Sequence, residues 1–521
     1  MPQQTERNHP LKKKKKSLLR LLFSRTGLVL LILLGNISLL LMLVLRFREY
    51  MTHYVSASAV LSIILLLALI SSRANASVKV TWLVIFMILP VFGALLYLYT
   101  QSDFGHRALR DRLDQVIDKA HAPPADSAVT QALCAQSAGA AALSRYLQRC
   151  GFRAYANSAV TYFPSGEAKF AQMLQQLEQA QHFIFLEYFI VEKGDMWDSI
   201  LDILQRKAAQ GVEVRVMYDG TCEVGRLPRG YDKQLKKMGI QCKAFAPLMP
   251  FLSTHYNYRD HRKILVIDGQ VAFTGGVNLA DEYINRVDLF GHWKDTAVML
   301  RGEAVRGFTR MFLQMWSIDT KTEDFSPYVD LSIAPPEDSA GFVIPYGDCP
   351  LDADMVGERV YMDLLNRTEN YVHIMTPYLI LDGEMETALK FAAERGAEVV
   401  LIVPGIPDKK IPYALAKTHY ASLMDSGVKI YEYIPGFIHA KSFVSDGCEA
   451  VVGTINLDYR SLYHHFECAA YFYGSPAIDD MEQDFQQTLK KCRLVTSHSL
   501  KKEKWGRRLT GFVLKAIAPL L

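Results

Sequence analysis

At 521 residues, with 50% hydrophobic and only 21% charged residues, the chain is too long for one ordinary core, and its composition points to a membrane-attached protein with globular domains. The formal net charge of +4 is accounted for by clusters at the two chain ends, so the body lacks the basic field that non-specific nucleic-acid binding uses. The cysteines at 134, 150, 222, 242, 349, 448, 468 and 492 show no CxxC and no metal-ligand spacing, which reads as reduced thiols and no metal site.

Residues 1–26 form a basic leader with Arg7, Lys12 to Lys16, Arg20 and Arg25, which the positive-inside bias assigns to the cytoplasm. Three uncharged runs follow between 27 and 102: Gly27 to Leu45, Tyr54 to Ser72 and Val80 to Ser102. Each is close to the roughly 20 residues a helix needs to cross the hydrocarbon layer. The first is longer than a signal-peptide core and has no small-residue cleavage site, so it reads as retained. Ser56, Ser58 and Ser62 weaken the second, leaving two or three spans open. Three full spans would put the body outside the cell; two, or one re-entrant segment, would keep it on the cytoplasmic face. Residues 103–152, rich in Ala, Gln and Ser with Ala122-Pro-Pro-Ala125, read as a linker and a helical approach to the body.

The body repeats itself, over 153–340 and again over 341–500. In the first half Phe183 to Ile190 reads as a buried strand, Trp197 to Ala209 as a helix ended by Gly211, and Val212 to Met217 as a strand. In the second, Val372 to Ile380, a helix from Glu384 to Glu394, Gly396 and the strand Glu398 to Val403 follow in the same order. Leu235 to Ile240 and Leu423 to Val428 then match as helix ends leading into strands. Such alternation predicts an α/β fold: a duplicated α/β/α sandwich of two pseudo-symmetric halves, preceded by the membrane region.

Each half carries the same polar element. His261-Arg-Lys263 is followed by Asp268, Gly275 and Asn278; His439-Ala-Lys441 is followed by Asp446, Gly453 and Asn456. The offsets agree throughout: His to Lys two, His to Asp seven, Asp to Gly seven, Gly to Asn three. On a strand, period-2 spacing would put His439 and Lys441 on one face about 7 Å apart. Asn456 would return to the same end after the short strand Ala450 to Val452. A lone copy would arise often by chance; two copies inside a larger repeat indicate one active site shared by the halves. A non-catalytic scaffold descended from such a protein would be expected to have lost a His or Lys, and neither copy has.

The residue types dictate the chemistry. A neutral His can attack phosphorus while a second, protonated His gives its proton to the leaving oxygen, so the pair can run a two-step displacement without a metal or other cofactor. Lys263 and Lys441, with Asn278 and Asn456, would hold the non-bridging oxygens. Each His should carry a carboxylate on its other ring nitrogen, and Asp295 and Glu467, downstream of the two elements, are the candidates. Asp268 and Asp446 complete the candidate catalytic set by motif, with an expected part in the loop rather than on the phosphate.

At the C-terminus, over 501–521, Trp505, Leu509, Phe512, Val513, Ala516, Ile517 and Leu520 fall on one helical stripe and Lys501, Lys504, Arg508 and Lys515 on the other side, as in a helix lying in an anionic interface.

The paired elements resemble those of the phospholipase D superfamily, and the whole chain resembles bacterial cardiolipin synthases. The likeness lies in the membrane leader and in Glu187-Tyr188-Phe189, Asn257-Tyr-Arg259-Asp-His261-Arg-Lys263, Gly275-Gly-Val-Asn278, His292-Trp293-Lys-Asp295, Thr376-Pro-Tyr378, His439-Ala-Lys441, Asn456-Leu-Asp-Tyr-Arg460-Ser461 and Ala518-Pro-Leu-Leu521. The resemblance implies transfer of a phosphatidyl group from one phosphatidylglycerol to another at the bacterial cell membrane. It implies His261 as the nucleophile that becomes phosphohistidine, and His439 as the acid and then the base. It leaves open the same chemistry with another acceptor: water for a phospholipase, serine for a phosphatidylserine synthase, or a nucleic-acid substrate, against which the membrane runs and the lack of a basic body count. The extra run at Gly27 to Leu45 departs from the family's commonest two-span pattern.

Overall fold

The computed structural model describes residues 50–72, 74–101, 104–120, 126–246, 258–319, 324–352, 354–503, 505–516 and 518–520, with isolated residues between 33 and 45. The leader lies outside the described residues, as does the run from Gly27 to Leu45 apart from those isolated positions. The chain divides into two units, one of Met1–Asn75, Trp82–Ser102 and Met249–Ser253, the other of Ala76–Thr81, Asp103–Leu248 and Thr254–Leu521.

In the first unit the run from Tyr54 becomes the helix Met51–Ser71, of which Thr52–Ser71 has the length and apolar composition to cross a membrane. The run from Val80 to Ser102 is instead divided between Ala76–Ile88 and Pro90–Gln101. Pro90 has no N–H and its ring clashes with the preceding turn, so the helix breaks at Leu89. Among the described residues only Thr52–Ser71 has the length of a span.

In the second unit, the described residues of 103–152 form the helices Phe104–Ala120, Ser127–Gln136 and Ala138–Arg149. Asp126 and Ser137 cap the last two through side-chain oxygens that accept backbone N–H bonds. Leu133, Ala140, Ala141, Leu143 and Leu147 are buried in one core with Ile344, Tyr361 and Leu364. The alanines that suggested a linker serve close packing.

The first half contributes β1 (Ser158–Phe163), β2 (Phe183–Tyr188), β3 (Glu213–Asp219), β4 (Gln241–Phe245), β5 (Arg259–Asp260), β6 (Lys263–Ile267), β7 (Val271–Gly275), β8 (His292–Lys294) and β9 (Ala297–Gly302). The second contributes β10 (Phe342–Asp348), β11 (Tyr371–Met375), β12 (Leu379–Ile380), β13 (Glu398–Pro404), β14 (Lys429–Tyr433), β15 (Gly436–Ile438), β16 (Ser442–Ser445), β17 (Glu449–Gly453), β18 (Leu457–Asp458), β19 (His465–Tyr473) and β20 (Cys492–Leu494). The seven-stranded sheet runs β1-β9-β7-β6-β2-β3-β4, and the nine-stranded one runs β10-β19-β17-β16-β11-β13-β14-β20, with β5 paired to β19. Strand for strand the pairing senses agree: β2, β3 and β4 are parallel, as are β11, β13 and β14, and the other ladders in the matching order are antiparallel. The expected single strand from Val372 to Ile380 is interrupted at Thr376-Pro377-Tyr378, because Pro377 cannot donate to a ladder.

Alternation sets the layers. In β6, Leu265 and Ile267 face a core with Met173, Leu177, Trp197 and Leu204 from the helices Gly166–Gln179 and Asp195–Ala209. Ile264 and Val266 face the other way, onto Phe308 and Phe312 of the helix Val305–Trp316. That second core also takes in Val444, Val452 and Phe472, so the inner faces of the two sheets share it. Phe443 turns outward to Tyr361, Leu389 and Tyr420 on the helices Val356–Arg367, Gly383–Glu394 and Lys410–Asp425.

Two short strands leave their own half. β5 runs parallel to β19, with Arg259 opposite His465 and Asp260 opposite Phe466. β15 runs parallel to β8, with Phe437 opposite Trp293 and Ile438 opposite Lys294. Each exchanged strand ends immediately before a histidine of the repeated element.

Candidate active site

The exchange delivers each histidine to the other half. The N–H of His261 donates to Phe466 O at 2.9 Å, and that of His439 to Lys294 O at 2.7 Å. On the side chains, Nδ1 of His261 lies 2.9 Å from both carboxylate oxygens of Glu467, and Nδ1 of His439 lies 2.7 Å from Oδ2 of Asp295. Both imidazole–carboxylate pairs therefore bridge the halves. The carboxylates are fully buried and the imidazoles nearly so. A carboxylate on Nδ1 holds the proton there and leaves Nε2 with its lone pair.

The carboxylates are seated differently. Thr454 donates its hydroxyl to Glu467, whereas the matching position in the first half is Gly276, where a Cβ would lie 2.0 Å from Asp295 Oδ1. The longer acid needs a donor and the shorter one needs room. Burial would raise the pKa of Glu467, but His261 and His465 beside it hold it below the usual carboxylate range. Burial pushes both imidazoles below the ordinary histidine range, His439 to about 4, with the neighbouring lysines adding to the effect.

His439 and Lys441 do not lie within a strand, because β16 begins at Ser442 and β15 ends at Ile438. They still share a side: Nζ of Lys441 stands 2.9 Å from Nδ1 of His439. Each lysine Nζ also donates to the carbonyl of its own histidine. Both lysines are buried, and burial lowers Lys263 to about 8 and Lys441 to about 7.

Asn278 and Asn456 share an offset and not a role. Asn278 is tied into the fold, its Oδ1 accepting from Ile190 N at 3.0 Å and its Nδ2 donating to Tyr283 Oη at 2.8 Å, which leaves one amide hydrogen to spare. The Oδ1 of Asn456 is buried without a hydrogen-bond partner.

Asp268 and Asp446 hold turns, the part expected of them, and stand apart from the histidines. Each follows the far end of its strand, and five residues separate Asp268 from Lys263, a span of roughly 16 Å. Both sit at positive φ, 52° and 51°, ahead of a left-handed glycine. The carboxylate of Asp268 accepts from the N–H groups of Gln181, His182 and Phe183 at 2.7 to 2.8 Å; that of Asp446 accepts from Glu369, Asn370 and Tyr371 at 2.8 to 2.9 Å. They staple the turns to the starts of β2 and β11. Alanine at either is expected to cost about 2 kcal/mol of stability through the lost acceptors, with turnover per folded molecule unchanged, as thermal unfolding and assay of the same samples would show.

Around the histidines stand residues quoted above only as parts of the motifs, and others, Lys169, Asp219, Tyr283 and His465, that were not singled out in the sequence. Arg262 is ion-paired with Glu187 at 2.5 Å and Asp260 at 3.3 Å, and Arg259 with Asp219 at 3.4 Å, a buried lattice that fixes the segment on both sides of His261. Lys169, fully buried, donates to Tyr188 Oη at 3.0 Å and to Val277 O at 3.1 Å, and burial lowers it to about 7. Its signal was its place on the stripe of Met173 and Leu177 at four-residue spacing. His465 lies with its ring 5.4 Å from that of His261, and Trp293 with its ring 5.5 Å from that of His439. Each stands two residues before a paired carboxylate, the period-2 signal for a shared face. Phe189 meets the His261 ring edge-on at 4.9 Å, and Tyr283 the His439 ring at 5.4 Å.

Among the described residues one group could hold a metal ion: His261, His465 and Glu467, whose donor atoms lie within 4.8 Å of one another. An ion there would take the Nδ1 of His261 away from Glu467.

A family model described as "Cardiolipin synthase, PLD-like domain" matches residues 173–316 and 361–489. An uncharacterized protein of Streptococcus mutans is 54% identical over 87% of this chain and 99% of its own length. A cardiolipin synthase of Geobacillus kaustophilus is 32% identical over 88% of this chain and 92% of its own. Among solved structures, a phosphatidylserine synthase of Haemophilus influenzae superposes with a TM-score of 0.54 at 16% identity, covering 71% of this chain and 95% of that one, a likeness of fold.

Proposed function

Since the chain belongs to the cardiolipin synthase family of phospholipase D-like enzymes, we propose that it transfers a phosphatidyl group from one phosphatidylglycerol to another, giving cardiolipin and free glycerol. The supporting observation is the crossed pairing of His261 with Glu467 and His439 with Asp295, which sets a carboxylate on Nδ1 of each imidazole. In this mechanism the two halves are a duplicated unit with one active site. Nε2 of neutral His261 attacks phosphorus and the bond to the leaving glycerol oxygen breaks, that oxygen taking a proton from His439. His439 next removes the proton from a glycerol hydroxyl of the second lipid. That oxygen attacks phosphorus, the phosphorus–nitrogen bond breaks, and His261 is restored. Lys263, Lys441, the spare hydrogen of Asn278 and the amide of Asn456 are the donors for the non-bridging oxygens. No cofactor takes part. The basic leader and the apolar runs support a multi-pass protein of the bacterial cell membrane with its body on the cytoplasmic face and anionic lipids as its partners.

Product analysis by thin-layer chromatography and mass spectrometry tests this directly, with the full chain in detergent, phosphatidylglycerol as the sole lipid, and chelator present. Cardiolipin and glycerol in equal amounts are expected. Phosphatidic acid in place of cardiolipin would make the protein a hydrolase, and bound lipid with no product would make it a scaffold.

The lysines set a pH dependence. A lysine must be protonated to hold a phosphate oxygen, and in the free protein Lys441 and Lys263 lose their protons at about 7 and about 8. The lysines therefore add a fall in kcat/KM as pH rises through that window, beyond the decline that starts near 4 as free His439 loses the proton it must give the leaving oxygen, while the acid limb, set by protonation of His261, lies well below ordinary histidine titration. Bound phosphate favours the charged lysine, so the limb in kcat should move to higher pH. Lys441→Arg keeps its charge and should remove the fall near 7 from a pH–rate profile.

A further inference from the structure

The C-terminal helix Trp505–Lys515 is built inside out. Its inward side carries Gly511, buried against the helix Lys410–Asp425, where a Cβ would meet Ala414 O at 2.7 Å and Thr418 Cγ2 at 2.8 Å, and one large apolar residue, Leu514, which packs on Leu415 and Tyr459. Beyond the helix, Ala518 is buried with Leu415 and Tyr459. The opposite stripe holds the large apolar side chains, Trp505, Leu509, Phe512 and Val513, at 76, 47, 63 and 61% exposure. A helix that packs only on its own body turns its large apolar residues inward. Here four of them face away and only Leu514 packs inward, while Gly511 lets the helix seat tightly enough to hold them in place.

Charge identifies what covers this stripe. Between Ser497 and Leu520 the sequence has six Lys and Arg against one acid, Glu503. Lys501, Lys502 and Lys515 are exposed. Large apolar side chains with cations alongside suit the boundary between acyl chains and anionic headgroups. A cavity of about 410 Å³ opens between the same helices, lined in part by Ala421, Met424, Leu500 and Phe512 with Lys501 among its walls. The helix beneath packs on β12, whose partner β18 begins directly after Asn456. We propose that the exposed stripe of Trp505–Lys515 inserts into the surface of an anionic bilayer, docking the face of the body beside Asn456 onto the membrane. The chain's apolar helix at Thr52–Ser71 supplies the reason a bilayer is within reach; the proposed reaction is not needed.

Trp505 is its own reporter. The full chain would be reconstituted in phosphatidylcholine vesicles with and without phosphatidylserine, an anionic lipid the proposed reaction does not consume, and the fluorescence of Trp505→Phe subtracted from that of the wild type. In the anionic vesicles the Trp505 component is expected to shift to the blue and be quenched about two-fold by brominated acyl chains. Raised salt should weaken the quenching. Leu509→Glu with Phe512→Glu should abolish it with the circular dichroism unchanged, since both side chains are exposed. A Trp505 component that stays red-shifted and unquenched in anionic vesicles overturns the proposal. So does one that is shielded but unquenched and varies with protein density, because the stripe is then covered by a second copy. Quenching is read without turnover, so it stands or falls independently of the reaction.

Discussion

His261→Ala and His439→Ala are each expected to lower turnover of phosphatidylglycerol by at least about 10⁴-fold, and the double variant by no more than the worse single, because residues acting in one covalent step lose their effect together. Neither change should unfold the protein, since each ring is held mainly by one carboxylate and its aromatic neighbours, Phe189 and His465 for the first, Tyr283 and Trp293 for the second. The roles separate with a phosphatidyl ester of p-nitrophenol, whose leaving group needs no proton. His439→Ala should then release one equivalent of nitrophenolate in a burst and stall, with the phosphatidyl group on His261 and no base to activate the second lipid. His261→Ala should show no burst. The reverse pattern would exchange the nucleophile and the acid.

The repeated offsets made the two elements legible, and with them both histidines, both lysines and the carboxylates Asp295 and Glu467. What spacing did not carry is which carboxylate meets which histidine. That depends on β5 with β19 and β15 with β8, parallel pairings of two or three residues, too short to leave a period in the sequence. Identical spacing also concealed unequal surroundings. Asn278 has its Oδ1 on Ile190 N and its Nδ2 on the phenol of Tyr283; Ser461 stands where Tyr283 would match, and the Oδ1 of Asn456 is buried without a hydrogen-bond partner. Asp268 and Asp446 share their offset because a turn requires it: three N–H groups and a left-handed backbone meet at each. The alanine content of residues 127–149 suits a tether or a close helix contact alike, and Leu133, Leu143 and Leu147, spaced along the buried side, distinguish the two.

The crossed pairs have a consequence for the chemistry of a nearly isosteric change. Glu467→Gln preserves the volume beside His261 and replaces an acceptor with a group that can also donate. Nδ1 of His261 lies 2.9 Å from both carboxylate oxygens, so whichever way the amide turns, its NH₂ can reach that nitrogen. Thr454, which now donates its hydroxyl to the carboxylate, can donate to the amide oxygen and so favour the orientation with NH₂ toward the imidazole. Donation to Nδ1 moves the ring proton to Nε2, where the lone pair that attacks phosphorus should be. The expected loss is about 10³- to 10⁴-fold in turnover, with the thermal midpoint little changed, since no cavity is opened. Glu467→Asp keeps the acceptor and should retain far more activity despite its shorter reach, whereas a purely structural role for this side chain would rank the two variants the other way. Asp295→Asn is expected to behave differently in the burst assay. With the nitrophenyl ester it should still load His261, because His439 is not needed for that leaving group, and then turn over slowly. Glu467→Gln should lose the burst itself. If both variants load His261 equally, the carboxylates do not hold the two histidines in separate roles.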